Sequence, residues 1–299
     1  MRRALKSSLE RVFASSVAAR LGRLRRRRQR LILAYHNVIP AGHPARGDRS
    51  LHLDFDTFRR QLDWLQGDAT VLSLQNALRA DSAAPAVAIT FDDAYAGAVR
   101  LALPELATRG MPATVFVAPG LLDSGVPWWD RVAGEDGAVP EQIRNLGLGE
   151  MGGDSAPILA WAAENRAMQP DDPASAIATN ADLLTASALP GMTLGAHSWS
   201  HANLARQDEK RLLQELEAPL QWLSQRFPTI ARPWLAYPYG LSSQLVHELA
   251  ARSGYEAGFA ISGGWFRPHG VEMALPRLNI PARLSLNGFG ARVGGLVGI

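Results

Sequence analysis

The chain has no cysteine. That single absence removes disulfides, thiolate zinc sites, iron–sulfur clusters and cysteine nucleophiles together, so any metal must be held by histidines and carboxylates. Long apolar runs are also missing: no later stretch approaches the roughly 20 apolar residues of a spanning helix. A secretory signal needs an uninterrupted apolar stretch of roughly 7–15 residues, whereas Arg11 and Arg20 bracket only a short Ser/Ala-rich segment. The expected location is therefore the cytoplasm or the cytoplasmic face of the inner membrane. Nor is the composition biased. Apolar residues make up 47% and charged residues 20% of the 299, near globular averages, which excludes disorder, collagen and coiled coil as overall classes.

The net charge of +3 hides an asymmetry. Residues 1–30 hold eleven Arg/Lys and one acid, Glu10, which leaves residues 31–299 at −7. A nucleic-acid-binding fold would carry its basic residues on the domain itself, so no nucleic-acid partner is expected. Within residues 1–30, Leu5, Leu9, Val12, Phe13, Val17, Leu21 and Leu24 fall near one helical face, closed by Arg25 to Arg28. The segment reads either as a basic amphipathic helix for peripheral membrane contact or as a solvated tail.

From residue 31 onward, short apolar runs recur at Leu31–Tyr35, Ala69–Leu74, Ala86–Phe91, Ala113–Ala118, Met192–His197, Trp234–Tyr237, Tyr255–Ile261 and Leu275–Ile280. Several lack alternation, as strands buried on both faces do. Between them Phe55, Phe58, Leu62 and Leu65, and again Leu212, Leu216, Leu220 and Leu223, step at helical spacing. Strands alternating with helices predict an α/β fold with a mainly parallel sheet, and a chain of this length suits one barrel domain over 31–299. Residues 121–191, rich in Gly, Pro, Ala and Asp, break the rhythm and are read as a mostly helical insertion.

Asp92 and Asp93 follow the run Ala86–Phe91 directly. At the carboxyl end of a β/α strand, side chains face the usual active-site side, although an acid there could equally cap the next helix. His197 and His201 lie four apart at the end of another such strand, a spacing that lets two imidazoles reach one cation. Two histidines with one carboxylate make a hydrolytic facial site of the zinc type.

Thr90-Phe91-Asp92-Asp93-Ala94-Tyr95, His197-Ser198-Trp199-Ser200-His201 and Ala236-Tyr237-Pro238-Tyr239-Gly240, in that order, resemble the first three motifs of the polysaccharide deacetylases, carbohydrate esterase family four, which include the nodulation chitooligosaccharide deacetylases. Leu33-Ala34-Tyr35-His36-Asn37-Val38 is similar to that family's first strand. The resemblance implies an irregular (β/α) barrel of about seven strands that hydrolyses N-acetyl groups on a carbohydrate. It implies Asp92 as general base, Asp93, His197 and His201 as ligands of a divalent metal, usually zinc, and the Tyr239 backbone N–H as oxyanion donor. Pro238 of the third motif belongs with the substrate-binding residues.

Two departures stand out. The third motif lacks the arginine that usually orients the base. A subgroup with a similar Tyr-Pro-Tyr-Gly motif places that guanidinium on a late strand, where Arg277 of Leu-Pro-Arg-Leu-Asn-Ile fits. The late Leu-x-x-His that supplies a general acid is absent; His269 is the nearest candidate, and otherwise Asp92 returns the proton itself. His36 either lines the pocket or serves a structural role. Trp128-Trp129-Asp130 resembles a sequence of deacetylases linked to cell-surface polysaccharide assembly, so Trp128 is assigned substrate contact, against a local core role. The expected substrate is a cell-surface polysaccharide or a lipid-linked precursor. The alternatives are a deformylase or O-deacetylase with the same site, or a carbohydrate-binding protein that has lost catalysis.

Overall fold

The computed structural model describes residues 28–79, 85–166, 168–268, 270 and 272–295. The amphipathic stripe expected in residues 1–30 falls almost wholly outside them, as does His269. No described helix is long and apolar enough to cross a membrane.

The uninterrupted apolar runs become parallel strands. β1 (Arg30–Tyr35) and β5 (Ala86–Phe91) are buried along their whole length and pair from Arg30↔Ala86 to Tyr35↔Phe91. β6 (Ala113–Val117), β7 (Met192–Ala196), β8 (Ala231–Ala236) and β9 (Ala257–Phe259) continue the parallel sheet on one side, and β10 (Leu278–Asn279) flanks β1 on the other. Short β4 (Thr70–Val71) pairs with the start of β5. After β9 the chain returns so that Leu275 bridges Phe259, and Ala260 and Gly263 donate backbone N–H bonds to Leu275 and Arg277. The two sheet ends are thereby tied, and the result is the irregular (β/α) barrel that the sequence pattern anticipates.

Strand alternation sorts the core into two. Leu31, Leu33, Val87, Ile89, Val115 and Leu194 pack outward beneath the helices, while Ile32, Ala88, Phe116, Ala236 and Phe259 fill the barrel interior. Phe116 and Phe259 meet there at a centroid distance of 5.3 Å. Gly195 leaves them room: a Cβ at that position would lie 2.6 Å from the Phe116 ring. Outside, Phe55–Asp68 is capped by Asp54 and buries Phe58, Leu62 and Leu65. Glu209–Arg226 is capped by Asp208 and buries Leu212, Leu216 and Leu223.

Two differences from the sequence reading concern short elements. β2 (Asn37–Ile39) and β3 (His52–Asp54) form a separate parallel pair, too short to show any periodicity. The predicted strand Ala69–Leu74 shrinks to Thr70–Val71. Between β6 and β7 the chain passes through several short helices, among them Trp128–Arg131, Glu141–Asn145, Ser155–Asn165 and Asn180–Ala186. This segment docks on the loop after β5, where Ala96 donates to Ala176 and Ala178 donates to Ala94.

Candidate active site

The carboxyl ends of the strands meet in a cavity of about 210 Å³, lined among others by His36, Asp92, Asp93, His197, His201 and Tyr239. Asp92 and Asp93 follow β5, His197 follows β7 and Tyr239 follows β8, so the three sequence motifs come from the adjacent strand ends β7 and β8 and from β5, one strand away across β6. Their loops bend sharply. Asp93 (φ 68°), Ala94 (φ 57°), Ser198 (φ 59°), His201 (φ 60°) and Tyr239 (φ 59°) all occupy the left-handed region, which costs a non-glycine residue about 1–3 kcal/mol and concentrates at functional sites.

Asp92 does not cap a helix. Its carboxylate takes a two-pronged bond from Arg277, Nη1 to Oδ1 at 2.6 Å and Nη2 to Oδ2 at 2.8 Å, with both side chains buried. Arg277 rises through the barrel interior, its guanidinium 5.1 Å from the Phe116 ring centroid, and also donates to Thr90 Oγ1. Burial alone would push the Asp92 carboxyl up. The charge of Arg277, with those of His197 and His36, outweighs it and holds Asp92 below the ordinary carboxylate value. The guanidinium missing from the third motif thus reaches Asp92 from the residue just before β10.

Asp93, His197 and His201 converge. The Nε2 atoms of His197 and His201 lie 3.3 and 2.9 Å from Asp93 Oδ1, and the three groups can present ligand atoms within 4.8 Å of one another, all buried. His197 Nδ1–H donates to the Ala236 carbonyl at 2.8 Å, which leaves a lone pair on Nε2 facing the carboxylate. Asp93 Oδ1 finds no hydrogen-bond donor despite its burial. Lone pairs from two imidazoles and one carboxylate aimed at a common point are what a divalent cation requires, so the residues present fit such a group. Burial would raise Asp93, but the neighbouring His201 and His197 rings more than offset it and hold it well below its usual range.

An aromatic wall closes one side. Trp129 lies 4.6 Å and Tyr239 4.5 Å from the His201 ring, centroid to centroid. Trp128, buried and lining the cavity, donates from Nε1 to the Tyr239 hydroxyl at 3.1 Å. The Tyr239 N–H finds no backbone acceptor among the described residues and remains available to a ligand. Pro238 is buried as the first residue of its turn and is not among the residues that line the cavity.

Sequence reasoning passed over several supporting residues. Glu215, buried on the helix Glu209–Arg226, accepts the N–H groups of Trp199 and Ser200 at 3.0 and 2.9 Å and the Ser200 hydroxyl at 2.7 Å. It pins the turn between the two histidines. Asp130 accepts from Tyr95 and pairs with His52 at 2.7 and 2.9 Å, and Tyr95 in turn accepts from Trp129. Only long-range packing joins these partners, so no local pattern reveals them.

A sequence model described as "Polysaccharide deacetylase" matches residues 79–258, more than half of the chain and the span of all three motifs. The chain belongs to the polysaccharide deacetylase family. It is accordingly a hydrolase of carbohydrate amide bonds. Arg277 lies beyond the matched span. The fold is similar to that of the Streptococcus pyogenes deacetylase PplD, solved in complex with acetate (19% identity, TM-score 0.61, 89% of this chain and 98% of that one). It is also similar to IcaB from Ammonifex degensii (18%, TM-score 0.62, 89% and 97%) and to a de-N-acetylase from Aggregatibacter actinomycetemcomitans (16%, TM-score 0.55, 84% and 95%). Comparison with curated proteins gives no match.

Proposed function

We propose that this deacetylase removes N-acetyl groups from a cell-surface polysaccharide or its lipid-linked precursor, with a divalent cation, zinc by the donor set, held by Asp93, His197 and His201. The observation that carries the reading is the pairing of Asp92 with Arg277 beside that convergent Asp-His-His group. Arg277 keeps Asp92 ionised and fixes its orientation, so Asp92 can take a proton from the attacking water. When bound there, a cation would supply Lewis acidity to the acyl oxygen and to that water. The Tyr239 N–H donates to the oxygen as charge develops on it. Asp92 then delivers the proton to the leaving nitrogen, and acetate and amine depart. A deacetylase of similar fold in complex with acetate, and another described as a de-N-acetylase, support the N-acetyl assignment.

The test is acetate and formate release from a panel of N- and O-acylated sugars, before and after chelation and zinc reloading. Acetate from N-acetyl sugars, lost on chelation and restored by zinc, is expected. Formate alone, release from O-acetyl sugars alone, or activity indifferent to chelation contradicts the reading.

The basic segment 1–30 is proposed to hold the enzyme at the cytoplasmic face of an anionic membrane, each cation near the surface contributing about 1 kcal/mol. Full-length protein should co-sediment with anionic vesicles at low salt, and replacing Arg25, Arg26, Arg27 and Arg28 by Glu should abolish most of it. Equal sedimentation of the two proteins rules the anchor out.

A further inference from the structure

Beside the catalytic cavity lies a more open groove of about 530 Å³, which shares Arg144 and Leu148 with it and is lined further by Asn145, Asn203, Arg206 and Ser242. The cavity alone falls below the roughly 300–1,000 Å³ of typical ligand sites, whereas the groove lies within that range. An oligomeric substrate with its acyl group at Asp92 must run out of the cavity, and the groove continues it.

The groove's chemistry is one-sided. No carboxylate lines it. Arg100, Arg109, Arg131 and Arg211 are each matched to an acid, but Arg144 and Arg206 have no ion-pair partner among the described residues. The other polar groups are partly spent: Asn203 bonds Leu148 and Ala205, and Ser242 bonds His247. Two unmatched guanidiniums and Asn145 remain to meet a ligand, and planar guanidinium forks match the oxygens of carboxylates and phosphoryl groups.

We propose that this groove is a subsite for an oxyanion, a carboxylate or a phosphoryl group, carried by the glycan beside the sugar that is deacetylated. The proposal rests on the deacetylase reading and narrows its substrate to an anionic glycan.

The intact chain is titrated calorimetrically with three soluble tetrasaccharides of N-acetylhexosamine: a neutral one, one with a uronate in place of a neighbouring sugar, and one with a phosphodiester at its reducing end. At least one anionic probe should bind roughly tenfold tighter than the neutral one at low salt, the scale of a charge-assisted hydrogen bond. The gap should narrow as salt rises. Which anionic probe wins distinguishes a carboxylate from a phosphoryl source. Arg206→Gln should shrink the preference and Arg144→Gln with Arg206→Gln should erase it. Equal binding of all three probes, or a preference that survives the double substitution, overturns the subsite. Acetate release on the same probes is read separately: an anionic preference without acetate contradicts deacetylation and leaves the subsite standing.

Discussion

At Asp92 two opposing effects decide the chemistry. Burial raises its carboxyl, and the Arg277 fork together with the charges of His197 and His36 more than cancels that rise. A base held below the ordinary carboxylate value stays ionised down to acidic pH, and activity that depends on it is lost only as pH falls through that depressed value. Arg277→Ala leaves the burial without the compensating charge, so the acidic limb of the pH–rate profile should move to higher pH and kcat should fall. Arg277→Lys keeps a charge without the fork and should restore part of both. An unchanged limb in the alanine variant breaks the proposed link. Removing one partner of a buried pair typically costs about 3–5 kcal/mol, so a lowered melting temperature is expected as well; the partial recovery of the pH profile by lysine separates electrostatic from structural loss. Asp92, Asp93, His197 and His201 were legible in the sequence because each sits in a compact motif at a strand end. Arg277 was legible only through the gap left by the third motif, since its contact with Asp92 spans 185 residues.

Among the elements, the strands were the most readable: parallel strands buried on both faces need continuous apolar runs, as in β1, β5 and β6. β2 and β3 were invisible because three residues carry no period. The turn His197–His201 shows why supporting residues escape a sequence reading. Ser198 and His201 sit at φ 59° and 60°, and their turn is held by Glu215 on a helix whose acids look in sequence like a solvated face. Groups that orient metal ligands typically contribute 10–100-fold in metal affinity. Glu215→Ala should therefore weaken zinc binding in a competition titration by roughly that factor, with a smaller change for Glu215→Gln, which keeps one acceptor oxygen. Zinc affinity equal to that of the parent chain in both variants denies Glu215 this role.

Across the whole molecule, barrel closure explains why the site assembles at all. The return of the chain from β9 through Leu275 to β10 carries Arg277 through the interior, past Phe116, to the carboxylate at the end of β5, while the helical segment between β6 and β7 brings Trp129 against His201 and Trp128 against Tyr239. The central claim divides labour between two adjacent aspartates, Asp93 holding a cation and Asp92 moving a proton, and elemental analysis coupled to turnover tests it most directly. In protein purified and then zinc-loaded, Asp93→Ala and His201→Ala should lose most of the bound metal, whereas Asp92→Asn should keep it and lose turnover by roughly 10²–10⁴-fold. Full metal in Asp93→Ala, or near-normal turnover in Asp92→Asn, contradicts the account.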